Sequence, residues 1–186
     1  MRFTRIILAF AGLLIGAAPA VVFSQSQALS VTATAPVVDG VVQSGEYSYM
    51  QDFDHQLTLY ASRTADTLYL AAVAHAKGWV AVGLGSKKMD NSDIFIGFVG
   101  SDGKVSFKAQ LGKGKRHIDP PADVSAAVKS YAMKQENGTT TLEVALDAAY
   151  FIKSGQQTLD VIYGMADDRS FTAYHTYRGA TTLKLQ

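Results

Sequence analysis

The 186-residue sequence contains no cysteine. That excludes a disulfide framework, thiolate zinc and iron–sulfur sites, a cysteine nucleophile, covalent c-type haem attachment and a lipid on a lipobox cysteine. An excess of either charge is also missing. The 17 Lys and Arg residues face 16 Asp and Glu, so the bulk electrostatics point neither to nucleic acid nor to an anionic membrane surface. There is no Ser-His-Asp arrangement, no phosphate loop and no closely spaced pair of carboxylates, so no catalytic site is read from the chain. Internal repeats and low-complexity tracts are absent, and the length suits one domain.

The one long apolar run lies at the N-terminus. Arg2 and Arg5 precede Ile6 to Ile15, and the small residues Gly16-Ala17-Ala18-Pro19-Ala20 follow. A basic start, an apolar run of about 7–15 residues and an Ala-x-Ala-like site make up a secretory signal peptide. A bilayer span needs roughly 20 apolar residues, more than this run supplies. The expected division is residues 1–28 as signal and 29–186 as the mature domain, with cleavage at Ala18-Pro19-Ala20, Ser24 or Ala28. Cleavage turns 17 basic groups into 15 against the same 16 acidic ones, a net charge of −1. An exported chain without cysteine fits a secreted or periplasmic location, with no stable membrane insertion once the signal is gone.

The mature chain alternates apolar and polar residues from end to end and shows no long helical period. Leu57, Leu59 and Ala61 alternate with Thr58, Tyr60 and Ser62, and Val105, Phe107, Ala109 and Leu111 with Ser106, Lys108 and Gln110. Leu142, Val144 and Leu146 repeat the pattern, so each strand buries one face and wets the other. Ile94 to Val99 is apolar on both faces, as a central strand would be. Asp102-Gly103 and Asn137-Gly138 are tight-turn dipeptides; the latter opens an Asn-Gly-Thr sequon but is read as a hairpin. Lys113 to Ala127, with Pro120-Pro121, reads as a surface loop. Nine to eleven short strands at this spacing predict an antiparallel immunoglobulin-like β-sandwich.

One stretch carries more specific information. Gly78-Trp79-Val80-Ala81-Val82-Gly83-Leu84-Gly85 runs through a loop containing Met89 into Ser92-Asp93-Ile94-Phe95-Ile96-Gly97-Phe98-Val99. A second block holds Tyr163-Gly164 and Tyr174-His175-Thr176-Tyr177-Arg178-Gly179, and Pro36 to Val42 with Gly45-Glu46-Tyr47 looks like the entry strand shared with related carbohydrate-binding sandwiches. In these blocks the sequence resembles the DOMON family, over about residues 36 to 185. The resemblance implies a sandwich that in many members holds a non-covalent b-type haem, as in the cytochrome domain of cellobiose dehydrogenase. It carries the axial ligands onto Met89 and His175, which would be the cofactor-binding and iron-binding residues. A thioether favours ferrous iron and an imidazole completes a six-coordinate low-spin centre, which passes electrons and leaves no position open to oxygen. The implied function is an exported b-type cytochrome domain, electron-transferring and not enzymatic, with a redox protein as partner. The alternative is a haem-free module of the same fold that recognises a sugar or other small ligand, its 9 Tyr residues available to stack on sugar rings.

Each residue also has a plainer role. Met89 can fill a gap in apolar packing, and His175 can be a hydrogen-bonded structural histidine. A related sandwich holds its haem through Met and Lys, which keeps Lys87 and Lys88 as candidate ligands. Arg178 suits a propionate or a surface strand end alike. Trp79, opening an alternating strand, reads as core. His55, His75 and His117 share no metal-ligand spacing and read as solvent-facing or satisfied. Lys113, Lys115, Arg116 and His117 make a short basic cluster that docks an acidic partner or keeps a loop soluble.

Overall fold

The computed structural model describes residues 28–186, so the expected signal peptide lies, but for Ala28, outside the described residues. The β-sandwich expected from the alternation is present. Eleven strands are found among the described residues: β1 (Tyr49–Phe53), β2 (Leu57–Arg63), β3 (Thr67–Ala74), β4 (Val80–Leu84), β5 (Asp93–Val99), β6 (Val105–Lys113), β7 (Arg116–Ile118), β8 (Val128–Glu136), β9 (Thr139–Asp147), β10 (Thr158–Met165) and β11 (Tyr177–Lys184). Two short helices, α1 (Ala122–Ala126) and α2 (Ala148–Phe151), cap the sandwich. One sheet runs β1-β2-β3-β9-β8 and the other β11-β10-β4-β5-β6-β7.

The period-two pattern sets the layers. Leu57, Leu59, Leu68, Leu70, Leu142, Val144 and Leu146 of the five-stranded sheet face Val80, Val82, Leu84, Phe95, Leu159 and Val161 of the six-stranded sheet in one buried core. Each such side chain stabilises the fold by roughly 1.5–3 kcal/mol relative to an exposed one. Leu29, fully buried, donates its N–H to the Lys184 carbonyl, and Thr32 donates to the Arg63 carbonyl, so residues 29–32 cross from one sheet to the other.

Two segments differ from expectation. Pro36 to Val42 forms no strand. It is a coil lying over the outer face of the five-stranded sheet, because its backbone donors go to a side chain instead of a neighbouring strand. The N–H groups of Asp39 and Gly40 donate to Oε2 of Glu143 on β9, at 3.1 and 2.6 Å, and the Tyr47 hydroxyl donates to Oε1 at 2.6 Å. Glu143 is fully buried, and these three donors offset its desolvation. Lys113 to Ala127 is not a plain loop: it contains β7, paired with β6 through Leu111–Ile118, Gly112–His117 and Lys113–Arg116, and then α1.

Candidate functional site

Strands β4 and β5 are buried on both faces, which means that something covers the outside of the six-stranded sheet. On that outer face Trp79, Ala81, Ile94, Ile96 and Ala166 form a second, smaller apolar cluster. Met89, Phe98, Ile162, Phe171 and Ala173 pack against it. Trp79 is buried, 6% exposed, as the sequence reading has it, but in this outer-face cluster and not in the core between the sheets. The alternation explains this, since Val80, Val82 and Leu84 take the inward positions of β4 and leave Trp79 and Ala81 outward.

Two segments frame the cluster. The first is the loop from Gly85 to Ser92 that carries Met89. Ser92 Oγ donates to the Lys88 carbonyl at 2.6 Å, and Ser92 N–H to the Met89 carbonyl at 3.1 Å. The Asn91 N–H donates to Gly112 O and the Gly112 N–H to Ser92 O, both at 2.9 Å, which fastens the loop to β6. A Cβ on Gly112 would overlap the Met89 carbonyl, so the absence of a side chain there lets the loop seat.

The second segment, residues 166–176, leads to His175. Gly78 N–H donates to Ala166 O, Trp79 N–H to Asp168 O and the Trp79 indole Nε1–H to Ala173 O at 3.2 Å. A Cβ on Gly78 would collide with the Asp168 backbone, so this segment too is seated against a glycine. Phe171 lies against Phe98 with ring centroids 4.9 Å apart, and Lys108 Nζ sits 4.8 Å from the Phe171 centroid.

Met89 is half-buried and packs against the cluster. His175 is also half-buried, two residues beyond Ala173, with its ring 4.3 Å from that of the exposed Tyr174. Burial, together with the Arg178 guanidinium, holds its imidazole below the ordinary histidine value, which keeps it neutral and able to donate a lone pair. Arg178 pairs with Gly164 on β10 and so lies along the same outer face as Ala81. Lys87 Nζ leans towards Asp160 Oδ1 at 3.9 Å, and Lys87 and Lys88 are both exposed.

His55 and His75 are exposed, as read from the sequence. Of the two roles read for His117, the structure gives the satisfied one. Its Nε2 lies 3.1 Å from Met89 Sδ and its Nδ1 lies 3.0 Å from Gln110 Oε1, and burial pushes its pKa down. Spacing along the chain could not reveal this, because the Met89–His117 contact is made across the β6–β7 hairpin. The available signal was the strand pattern: Gln110 and Gly112 fall on the same face of β6, and His117 is the cross-strand partner of Gly112. Among the described residues no group of three or more His, Cys, Asp or Glu side chains is arranged to hold a metal ion.

A family model for the DOMON domain matches residues 51–148, and the chain belongs to that family. No curated protein matches it in sequence. Among solved structures it is similar to the cytochrome b domain of pyranose dehydrogenase from Coprinopsis cinerea, at 10% identity and a TM-score of 0.55, over 73% of this chain and 80% of that one. It is also similar to the cytochrome domain of Myriococcum thermophilum cellobiose dehydrogenase, at 13% identity and 0.48, over 74% and 81%. A family 9 carbohydrate binding module from Caldicellulosiruptor kristjanssonii, solved with glucose, aligns at 11% identity and 0.46, over 85% and 95%. The likeness to the pyranose dehydrogenase domain shows the fold alone.

Proposed function

We propose that the mature protein is an exported b-type cytochrome domain that binds one haem non-covalently and relays single electrons to and from a redox partner protein. The observation that carries the reading is the outer-face cluster, against which both Met89 and the segment leading to His175 are packed. The residues fit a haem chemically. Ala81, Ile94, Ile96 and Ala166 supply an apolar floor, Trp79, Phe98 and Phe171 supply flat aromatic surface, and Lys108 and Arg178 supply cations suited to propionates. Met89 and His175 would hold the iron through a soft sulfur and a neutral imidazole.

When bound, the haem supplies a reversible one-electron couple. The chain does the rest. The Gly112 and Gly78 contacts fix the two ligand-bearing segments, and the apolar cluster excludes water, which lowers the reorganisation that accompanies a change of charge. With Met89 and His175 both holding the iron, oxygen and substrates would be kept off the metal, so the domain would move electrons without catalysing a reaction itself. No described helix is long and apolar enough to cross a membrane.

The test is titration of the purified mature protein with haemin. One equivalent should bind and give a low-spin spectrum, and His175→Ala should abolish that spectrum. Failure to bind haemin overturns the reading. The sugar-binding alternative draws on a groove of about 340 Å³ on the outer face of the five-stranded sheet, lined in part by Gly40, Tyr60, Lys134, Glu136 and Asn137. A colourless protein that binds oligosaccharides calorimetrically would favour it.

A further inference from the structure

The contact between Met89 and His117 is chemically unusual. A neutral imidazole carries one N–H, and Gln110 Oε1, 3.0 Å from Nδ1, is an acceptor only. In the tautomer with the N–H directed there, Nε2 turns a lone pair towards Met89 Sδ at 3.1 Å; in the other, Nε2–H donates to the sulfur. In the first tautomer two donor atoms, Nε2 and Sδ, lie side by side on the rim of the apolar cluster. Anchoring of the remote ring nitrogen by a carbonyl is also the arrangement that orients metal-binding imidazoles.

We propose that His117 is a standby axial ligand for the coordination position assigned to Met89, able to take the iron when the thioether is removed. The proposal rests on the haem-binding reading of the same site. Three features support it besides the donor geometry. His117 lies on the three-residue edge strand β7, held to β6 by a short ladder, so a small movement of its side chain disturbs few contacts. Gly112, its cross-strand partner, has no side chain between the imidazole and the Met89 loop. Finally, imidazole binds both iron oxidation states well, so the exchange would preserve a low-spin centre while lowering its potential relative to a Met–His pair.

The experiment compares haem-loaded wild type with Met89→Leu, His117→Gln and the double variant, by optical spectra of both oxidation states and by redox titration. Leu and Gln keep side-chain volume, and circular dichroism melts of the haem-free proteins confirm that each variant folds. His117→Gln should keep the wild-type spectrum. Met89→Leu should stay six-coordinate and low-spin with a lower midpoint potential. The double variant should become high-spin or lose its haem, and free imidazole should restore the low-spin bands.

Met89→Leu that is already high-spin or haem-free overturns the proposal, as does a double variant that remains low-spin, which would place another group such as Lys87 or Lys88 at the iron. His117→Gln that is high-spin by itself would make His117 the primary ligand and contradict its standby role. A wild-type protein that takes up no haem defeats the underlying reading instead, so the two failures are distinguishable.

Discussion

The backbone of Met89 rests on Gly112: a single methyl group there would occupy the space of the Met89 carbonyl oxygen. The proposed sulfur ligand therefore depends on a residue 23 positions away that has no chemistry of its own. Gly112→Ala should displace the 85–92 loop while leaving the sandwich intact. We expect a loss of about 1–3 kcal/mol in stability, the usual range for overpacking, and at least tenfold weaker haem binding. Denaturant unfolding and haemin titration of the variant check the two parts separately.

Glu143 joins the coil of residues 39–47 to the five-stranded sheet through three hydrogen bonds. Tyr47→Phe removes one donor to a buried carboxylate and should cost about 1–3 kcal/mol, while Glu143→Ala strands two N–H groups and a hydroxyl and should cost more. Tyr47 is held far above the ordinary tyrosine pKa, by burial first and by its bond to Glu143 second, so it stays a donor across the working pH range. Urea unfolding should show lower midpoints with unchanged m-values in both variants. Haem binding on the opposite sheet should be unaffected.

Asp93 opens β5, and burial, with the nearby Asp123 carboxylate adding to it, raises its pKa. The native state then holds its proton more tightly than the unfolded chain does. Stability from this group is greatest at low pH and is lost as pH rises through its raised folded pKa, beginning near the ordinary aspartate value of about 3.9. Asp93→Asn should accordingly raise the melting temperature at pH 7 and lose that advantage in acid. Melting curves of both proteins at pH 3.5 and pH 7 test the sign.

Trp79 is the sole tryptophan of the chain and sits in the outer-face cluster, 6% exposed. Its emission should be blue-shifted and shielded from soluble quenchers in the haem-free protein, and strongly quenched when haem binds. Trp79→Phe removes the indole donor to Ala173 O and should loosen residues 166–176, seen as faster proteolysis of that segment.

The strands were legible because their alternation is local: Leu57 to Ser62 and Val105 to Leu111 each state their own buried face. What could not be read there depends on pairing between distant residues. Pro36 to Val42 looks like a strand, yet a glutamate about a hundred positions away takes its donors. The alternation of β4 points Trp79 outward but does not reveal that Phe171 and Ala173 pack there and bury it. His117 looked idle because β7 is three residues long, too short for a periodic signal.

Met89 and His175 are proposed to hold one haem iron between them. The most direct test of that pairing is the reduced-minus-oxidised spectrum of the purified mature protein made with haem in supply. Sharpened α and β bands of a six-coordinate, low-spin b-type centre are expected, and His175→Ala should eliminate them. A colourless protein, or a low-spin spectrum unchanged by that substitution, would contradict the pairing.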